Sequence, residues 1–256
     1  MRLIERVALV TGAGSGIGRA AAIALAADGA DVVLAGRRGE LLEAAAEEIR
    51  AGGPRAVPVQ ADVSREDEVR ALTARAVEEC GRIDILVNAA SGPGDEVSLA
   101  NMQLETWQAM LDTALTGTML STREVLTRSM LPRRSGAIVN ISSGAALRGL
   151  AGKSHLSAAK AGVLQFSEAV AREVGAQGIR VNCVVPGAVE TERLREYYER
   201  LATARGSTYE RVREEVARGT ALRRHVEPAE VAEAVVFLAS DQASGITGEA
   251  LRVGGT

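Results

Sequence analysis

The sequence predicts an α/β fold, a doubly wound parallel sheet with helices on both faces. Three observations predict it. Seven short apolar runs of strand character recur along the 256 residues, each separated from the next by a stretch of helical character. A glycine-rich turn directly follows the first run and opens an alanine-rich helix. No internal repeat, low-complexity block or linker interrupts the chain, so residues 1–256 are expected to form a single domain.

The first strand is expected at Val7–Val10, where the N-terminal apolar run emerges from the charges of Arg2, Glu5 and Arg6. The turn Thr11-Gly12-Ala13-Gly14-Ser15-Gly16-Ile17-Gly18 and its helix lead to a second strand at Val32–Ala35. Leu41, Leu42, Ala45 and Ile49 then recur at helical spacing until Gly52-Gly53-Pro54 ends the helix. After a third strand at Ala56–Val59, Ser64 with Asp67 three residues on is expected to open a helix whose buried stripe is Val69, Leu72 and Ala76. Strands follow at Ile83–Val87, Ala137–Ile141, Val181–Val185 and Ala250–Val253, and His155 to Val163 reads as the start of a helix. The charged segment after Thr191 holds all three tyrosines, Tyr197, Tyr198 and Tyr209. A polar insertion after a late strand is well placed to cover a ligand crevice. Residues 192–219 are therefore read as a mobile substrate lid, with a plain surface hairpin as the alternative.

Composition removes several function classes. A net charge of −3 gives no basic field for nucleic acid, and 2% aromatic residues offer few stacking platforms for single strands. No segment approaches the ~18 uninterrupted apolar residues of a membrane span. Cys80 and Cys183 make neither a disulfide framework nor a metal spacing, which points to a reduced, cytoplasmic protein.

The glycine-rich turn carries chemistry because of where it stands. Glycines at 12, 16 and 18 permit a tight turn, close approach of backbone N–H groups to a pyrophosphate, and tight packing of the helix on the sheet. Gly12, Ser15, Gly16, Ile17 and Gly18 are thus the expected phosphate loop of a dinucleotide site. The second strand ends in Gly36-Arg37-Arg38, without the carboxylate that an NAD site presents to the ribose. Arg37 and Arg38 favour NADP(H) over NAD(H), because a guanidinium pairs with a 2′-phosphate that a carboxylate would repel. Asp62, beside Val63 after the third strand, is an acceptor for the adenine amino group, and Asn88 is placed to brace the crevice.

Of 30 basic residues only Lys153 and Lys160 are lysines. That scarcity suggests a need for a compact, tunable ammonium at 160. Leu156 lies one helical turn before Lys160 on the same face. A tyrosine at 156 would have its pKa lowered by the neighbouring ammonium and could relay a proton; leucine cannot.

Together, Thr11 to Gly18, Asp62-Val63, Asn88-Ala89-Ala90, Asn140-Ile141-Ser142-Ser143, Lys160 and Pro186-Gly187-Ala188-Val189-Glu190-Thr191 resemble the short-chain dehydrogenase/reductase family over essentially the whole chain. The resemblance implies a single-domain Rossmann-like fold, hydride transfer with a nicotinamide cofactor, and a homotetramer or homodimer. It further implies that Ser143 binds the substrate oxygen, that Lys160 binds the nicotinamide ribose, and that Pro186, Gly187, Val189 and Thr191 contact the carboxamide end of the cofactor. The chain departs from the family at Leu156, where the family has its catalytic tyrosine, and at Ala114, where it usually has asparagine. In this the site is similar to the 2,4-dienoyl-CoA reductases, with which it also shares the doubled alanine after Asn88, and His155, Ser157 and Lys160.

The reading that follows is an NADP(H)-dependent oxidoreductase acting on a small carbonyl, alcohol or conjugated thioester. Ser143, a Lys160-linked water, His155 or a lid tyrosine would replace the absent phenol. A non-catalytic NADP-binding or sensor protein, and a non-redox dehydratase or isomerase on the same scaffold, are the alternatives. His155 is expected to face the lid, a neighbouring subunit or solvent, and His225 to be structural. Lys153 is either an attractor for an anionic substrate or a solvated loop charge.

Overall fold

A computed structural model describes residues 1–255. Seven strands, β1 (Val7–Thr11), β2 (Asp31–Gly36), β3 (Ala56–Gln60), β4 (Ile85–Asn88), β5 (Gly136–Ile141), β6 (Ile179–Pro186) and β7 (Ala250–Val253), form one parallel sheet in the order β3-β2-β1-β4-β5-β6-β7. Each predicted strand is present. The continuous apolar runs are those of strands covered on both faces, and all five residues of β1 are buried.

Side chains alternate between the two faces. Ala8, Val10, Val32, Leu34, Ile85 and Val87 pack in one core with helices α1 (Gly16–Ala27) and α2 (Gly39–Ala51). Leu9, Val33, Ala35 and Leu86 pack in the other, with Leu72 and Ala76 of α3 (Glu66–Cys80). The chain steps outward from β1 to β3 and then returns to place β4 on the other side of β1. This reversal opens a crevice beyond the carboxyl ends of β1 and β4.

After β4 a helical arm runs from α4 (Leu104–Leu111) through a π turn, Asp112–Thr116, into α5 (Gly117–Val125), then through a second π turn, Leu126–Met130, to α6 (Leu131–Arg133). A Cβ on Gly117 would lie 2.7 Å from Val63 Cγ2, so glycine lets the arm close on the end of β3. The long α7 (Ser154–Val174) packs beside this arm. Residues 192–219 form a helical pair, α8 (Glu192–Arg205) and α9 (Tyr209–Arg218), capped by Thr191 and Thr208. Tyr198 and Val212 give the pair a small core of its own. Helix α10 (Pro228–Ala239) returns to the α1 side of the sheet.

One predicted cap differs. Helix α3 begins at Glu66 with Arg65 in the N-cap position, and Ser64 does not cap it. Asp62 lies two residues before Ser64 and accepts from both its backbone N–H and its hydroxyl, at 3.0 and 2.7 Å. That local Asx turn competes successfully with the helix for Ser64. Among the described residues no helix is long and apolar enough to cross a membrane, and both cysteines are free.

Candidate active site

The turn after β1 is shaped by contacts that only glycine allows. Gly12 has φ +68°, and a Cβ there would lie 2.8 Å from Ala90 N. A Cβ on Gly18 would overlap the carbonyl oxygen of Gly12. Gly16 (φ +54°) faces the Thr191 methyl, 3.4 Å from where its Cβ would be. The N-terminus of α1 therefore lies open beneath the loop after β6. No side chain caps it and its first turn has no acidic residue, so its backbone N–H groups and positive dipole end remain available to an anion.

Ser15 Oγ accepts from Arg38 Nη2 at 2.8 Å, which draws Arg38 over this N-terminus. Arg37 is exposed beside it, and neither arginine makes an ion pair among the described residues. Burial raises the Asp62 pKa, but the two Ser64 hydrogen bonds and the charges of Arg37 and Arg65 outweigh it and hold the carboxyl ionised below its usual range. Thr11 Oγ1 accepts from Ala89 N at 3.2 Å and fixes the start of the loop after β4. Asn88 Nδ2 donates to Asn140 Oδ1 at 2.8 Å, while Asn88 Oδ1 is buried without a donor. On the far side Gly187 N donates to Val253 O at 2.9 Å, and Val189 bridges to Val226. Glycine cradle, free helix terminus, unpaired arginines and orphaned amide oxygen fit a dinucleotide.

Ser143 follows β5 and caps a short 3-10 turn, Gly144–Ala146. Its Oγ accepts from Ala145 N at 3.2 Å, which uses a lone pair and leaves the hydroxyl hydrogen free to donate. Lys160, on α7, is only 4% exposed and is tied to the same strand end twice. Its Nζ donates to Ile141 O at 2.8 Å, and its carbonyl accepts from Ser142 Oγ at 2.9 Å. Burial pushes its pKa down to about 8, and no carboxylate opposes this. Two of the three ammonium protons have no partner among the described residues.

Leu156 is half-buried and packs with Met110, Ala114 and Ala159. Ala114 lies in the first π turn, and its carbonyl accepts from Thr118 Oγ1 at 2.9 Å. Of the three settings expected for His155, the lid, a neighbouring subunit or solvent, the structure excludes solvent. Its ring is fully buried and neither nitrogen has a partner. Five residues separate it from Lys160, a rotation of about 140° around the helix, so the two side chains project from different faces of α7. Burial, then the charge of Lys153, lowers its pKa.

Two of the three lid tyrosines have their hydroxyls engaged. Tyr197 donates to Glu96 Oε2 at 2.6 Å, and burial followed by that carboxylate pushes its pKa up to about 12. Tyr198 is buried with its hydroxyl 2.8 Å from His225 Nε2, which makes His225 the structural residue its sequence context suggested. Lys153 is not a solvated loop charge: Nζ sits 3.6 Å above the Tyr197 ring. Sequence reasoning missed two further partners, Arg193, whose Nη2 donates to Gly92 O at 2.7 Å, and Arg200, 3.4 Å from Asp95. With Tyr197 they draw α8 onto the loop after β4. Arginines are so common in α8 and α9 that nothing in the sequence marked these.

The profile of the family described as Enoyl-(Acyl carrier protein) reductase matches residues 12–255. The chain is 40% identical over 255 residues to a 3-oxoacyl-[acyl-carrier-protein] reductase of Synechocystis sp., covering 99% of this chain and 97% of that protein. A crystal structure of an actinorhodin polyketide ketoreductase with NADPH superposes with a TM-score of 0.94 at 37% identity, covering 98% of this chain and 96% of that one. An NAD+-bound xylitol dehydrogenase gives the same TM-score at 28% identity, with full coverage of both chains. The chain therefore belongs to the short-chain dehydrogenase/reductase family, close to the 3-oxoacyl-[acyl-carrier-protein] reductases, and is an oxidoreductase that uses a nicotinamide cofactor.

Proposed function

We propose that the protein is an NADP(H)-dependent carbonyl reductase that works without the tyrosine usual in its family. The observation that carries this reading is the joint anchoring of Ser143 and Lys160 at the end of β5, which leaves one hydroxyl proton and two ammonium protons unspent. The cofactor, when bound, supplies a hydride. Gly12, Ser15, Gly16, Ile17 and Gly18 would hold its pyrophosphate, and Asp62, with Val63 beside it, its adenine. Arg37 and Arg38 would hold the 2′-phosphate that distinguishes NADP(H). Asn88, Pro186, Gly187, Val189 and Thr191 would line its nicotinamide half.

Ser143 donates its hydrogen to the substrate oxygen and stabilises negative charge there as the carbonyl is reduced. The Lys160 ammonium adds a cation close to the same strand end and releases a proton from Nζ to the new alkoxide, becoming neutral until solvent reprotonates it. A pKa of about 8 suits a donor working near neutral pH. Burial lowers the pKa of His155, and the hydroxyls of Tyr197 and Tyr198 are engaged elsewhere. Residues 192–219 act as the lid, and we place the working enzyme in the cytoplasm as a homodimer or homotetramer.

The test is NADPH consumption by wild type and Leu156→Tyr against matched ketones, 3-oxo thioesters and conjugated thioesters, with NADPH binding measured alongside. A general acid contributes ~10²–10⁴-fold, so Leu156→Tyr should accelerate ketone reduction by about 10²-fold or more over a slow but measurable wild type. Wild type that binds NADPH yet turns over none of these compounds, while Leu156→Tyr turns over ketones, would sink the reductase reading in favour of a cofactor-binding protein.

A further inference from the structure

Arg193 is the second residue of α8, which starts from the loop after β6, yet its guanidinium bonds Gly92 in the loop after β4. Strand β5 lies between β4 and β6. The side chain thus ties together the loops that follow β4 and β6, the two strands on either side of β5. Ser143 lies just beyond the carboxyl end of β5. Gly94 makes the seat for this arginine, because a Cβ there would overlap Nη2 and lie 2.9 Å from Cζ.

The guanidinium gives one N–H to Gly92 and has no ion-pair partner among the described residues. The nearby carboxylates are occupied: Asp95 pairs with Arg200, and Glu96 takes the Tyr197 hydroxyl. Lys153 is likewise without an ion pair, over the Tyr197 ring. Arg193 is solvent-accessible, but it is surrounded closely enough that burial lowers its pKa, and burial lowers that of Lys153 as well. The charge of Arg193 also acts on Lys160, His155 and Lys153, all on or at the start of α7. Three cations, Arg193, Lys153 and Lys160, thus act on one another at the mouth of the site, and the carboxylates beside them, Asp95 and Glu96, already hold other partners. A planar fork with unused donors is suited to a carboxylate.

We propose that Arg193, supported by Lys153, anchors a carboxylate on the substrate, so that the chain reduces oxo acids in preference to uncharged ketones or carrier thioesters. This rests on the carbonyl-reductase reading above. The position between the loops that flank β5 favours an anion close to the reacting carbonyl, whereas the phosphate of a carrier thioester lies a whole pantetheine arm away. The cofactor pyrophosphate belongs to the open end of α1, beside Thr191 and Gly16, and Arg193 reaches past it to Gly92.

The experiment compares 4-oxopentanoate, its methyl ester and the N-acetylcysteamine thioester of 3-oxobutanoate on wild type, Arg193→Gln and Arg193→Lys. It records kcat/KM, the melting-temperature shift each compound induces with and without NADPH, and the Kd for NADPH. Wild type should favour the acid over its ester by about 10-fold or more, the size expected of one charge-assisted pair, and the preference should shrink with added salt. Arg193→Gln should abolish the preference without changing NADPH affinity, and Arg193→Lys should restore part of it. Equal use of acid and ester by wild type overturns the proposal, as does a preference that survives Arg193→Gln or a loss confined to NADPH binding. Should no compound be reduced, the reductase reading fails on its own, and the melting shift with the acid still decides whether Arg193 binds a carboxylate.

Discussion

Lys160 combines the chemistry and the strain of this site in one side chain. An ammonium at 4% exposure, with one carbonyl for a partner, is costly to keep charged. Its pKa falls from 10.5 unfolded to about 8 folded. Below pH 8 the folded state carries the full cost of the buried charge, and between pH 8 and 10.5 folding is relieved of it because the native lysine deprotonates first. The shift corresponds to roughly 3 kcal/mol. Urea unfolding of wild type and Lys160→Met across this range should show wild type gaining on the variant as pH rises. A constant difference would mean that Lys160 is not held at a depressed pKa. As candidates, Lys160 was legible in the sequence as one of only two lysines, and Ser143 through the resemblance carried by Asn140-Ile141-Ser142-Ser143. The burial of His155 and the seat of Arg193 were not, because each depends on segments far apart in the chain.

Among the elements, α1 and the end of β2 carry the proposed choice between nucleotides. The uncapped N-terminus of α1 is available to a phosphate, and Arg38, just after β2, reaches Ser15 above it. In Arg38→Asp, NADPH affinity should fall about 10–100-fold, the loss of a charge-assisted pair, while NADH affinity stays near its wild-type value. Fluorescence titration with both nucleotides checks this; equal losses for both would show that Arg38 serves the fold and not the phosphate. The succession of strands and helices, the end of α2 at Gly52 and the buried stripe of α3 follow from periodicities that a sequence displays directly. The start of α3 does not. Ser64 and Asp67 spell a capping pattern, but Asp62 holds Ser64 in its own turn, and propensity cannot rank two local bonds that use the same hydroxyl.

For the molecule as a whole, both histidines are buried and both have pKa values lowered first by burial. The unfolded chain takes up these protons near pH 6.5 and the folded chain at lower pH, so folding stability is full above 6.5 and declines as pH falls below it. The slope can reach about 1.4 kcal/mol per pH unit for each histidine. This window is separate from that of acids such as Asp28, whose folded pKa lies below 3.8 and whose contribution is lost only under stronger acid. Denaturation midpoints between pH 5 and 8 should show the decline, and His225→Gln should flatten part of it. A flat wild-type curve would contradict neutral buried imidazoles. The sequence by itself determined the parallel sheet, the order of its elements and the phosphate turn, because apolar periodicity and glycine placement are written along the chain and act over a few residues. Tertiary structure alone decided which cations stay unpaired at the mouth of the site, which tyrosines are occupied and which histidine is sealed. Those outcomes depend on burial and on partners as much as a hundred residues away, such as Arg193 and Gly92, and neither is a property of a local stretch of sequence.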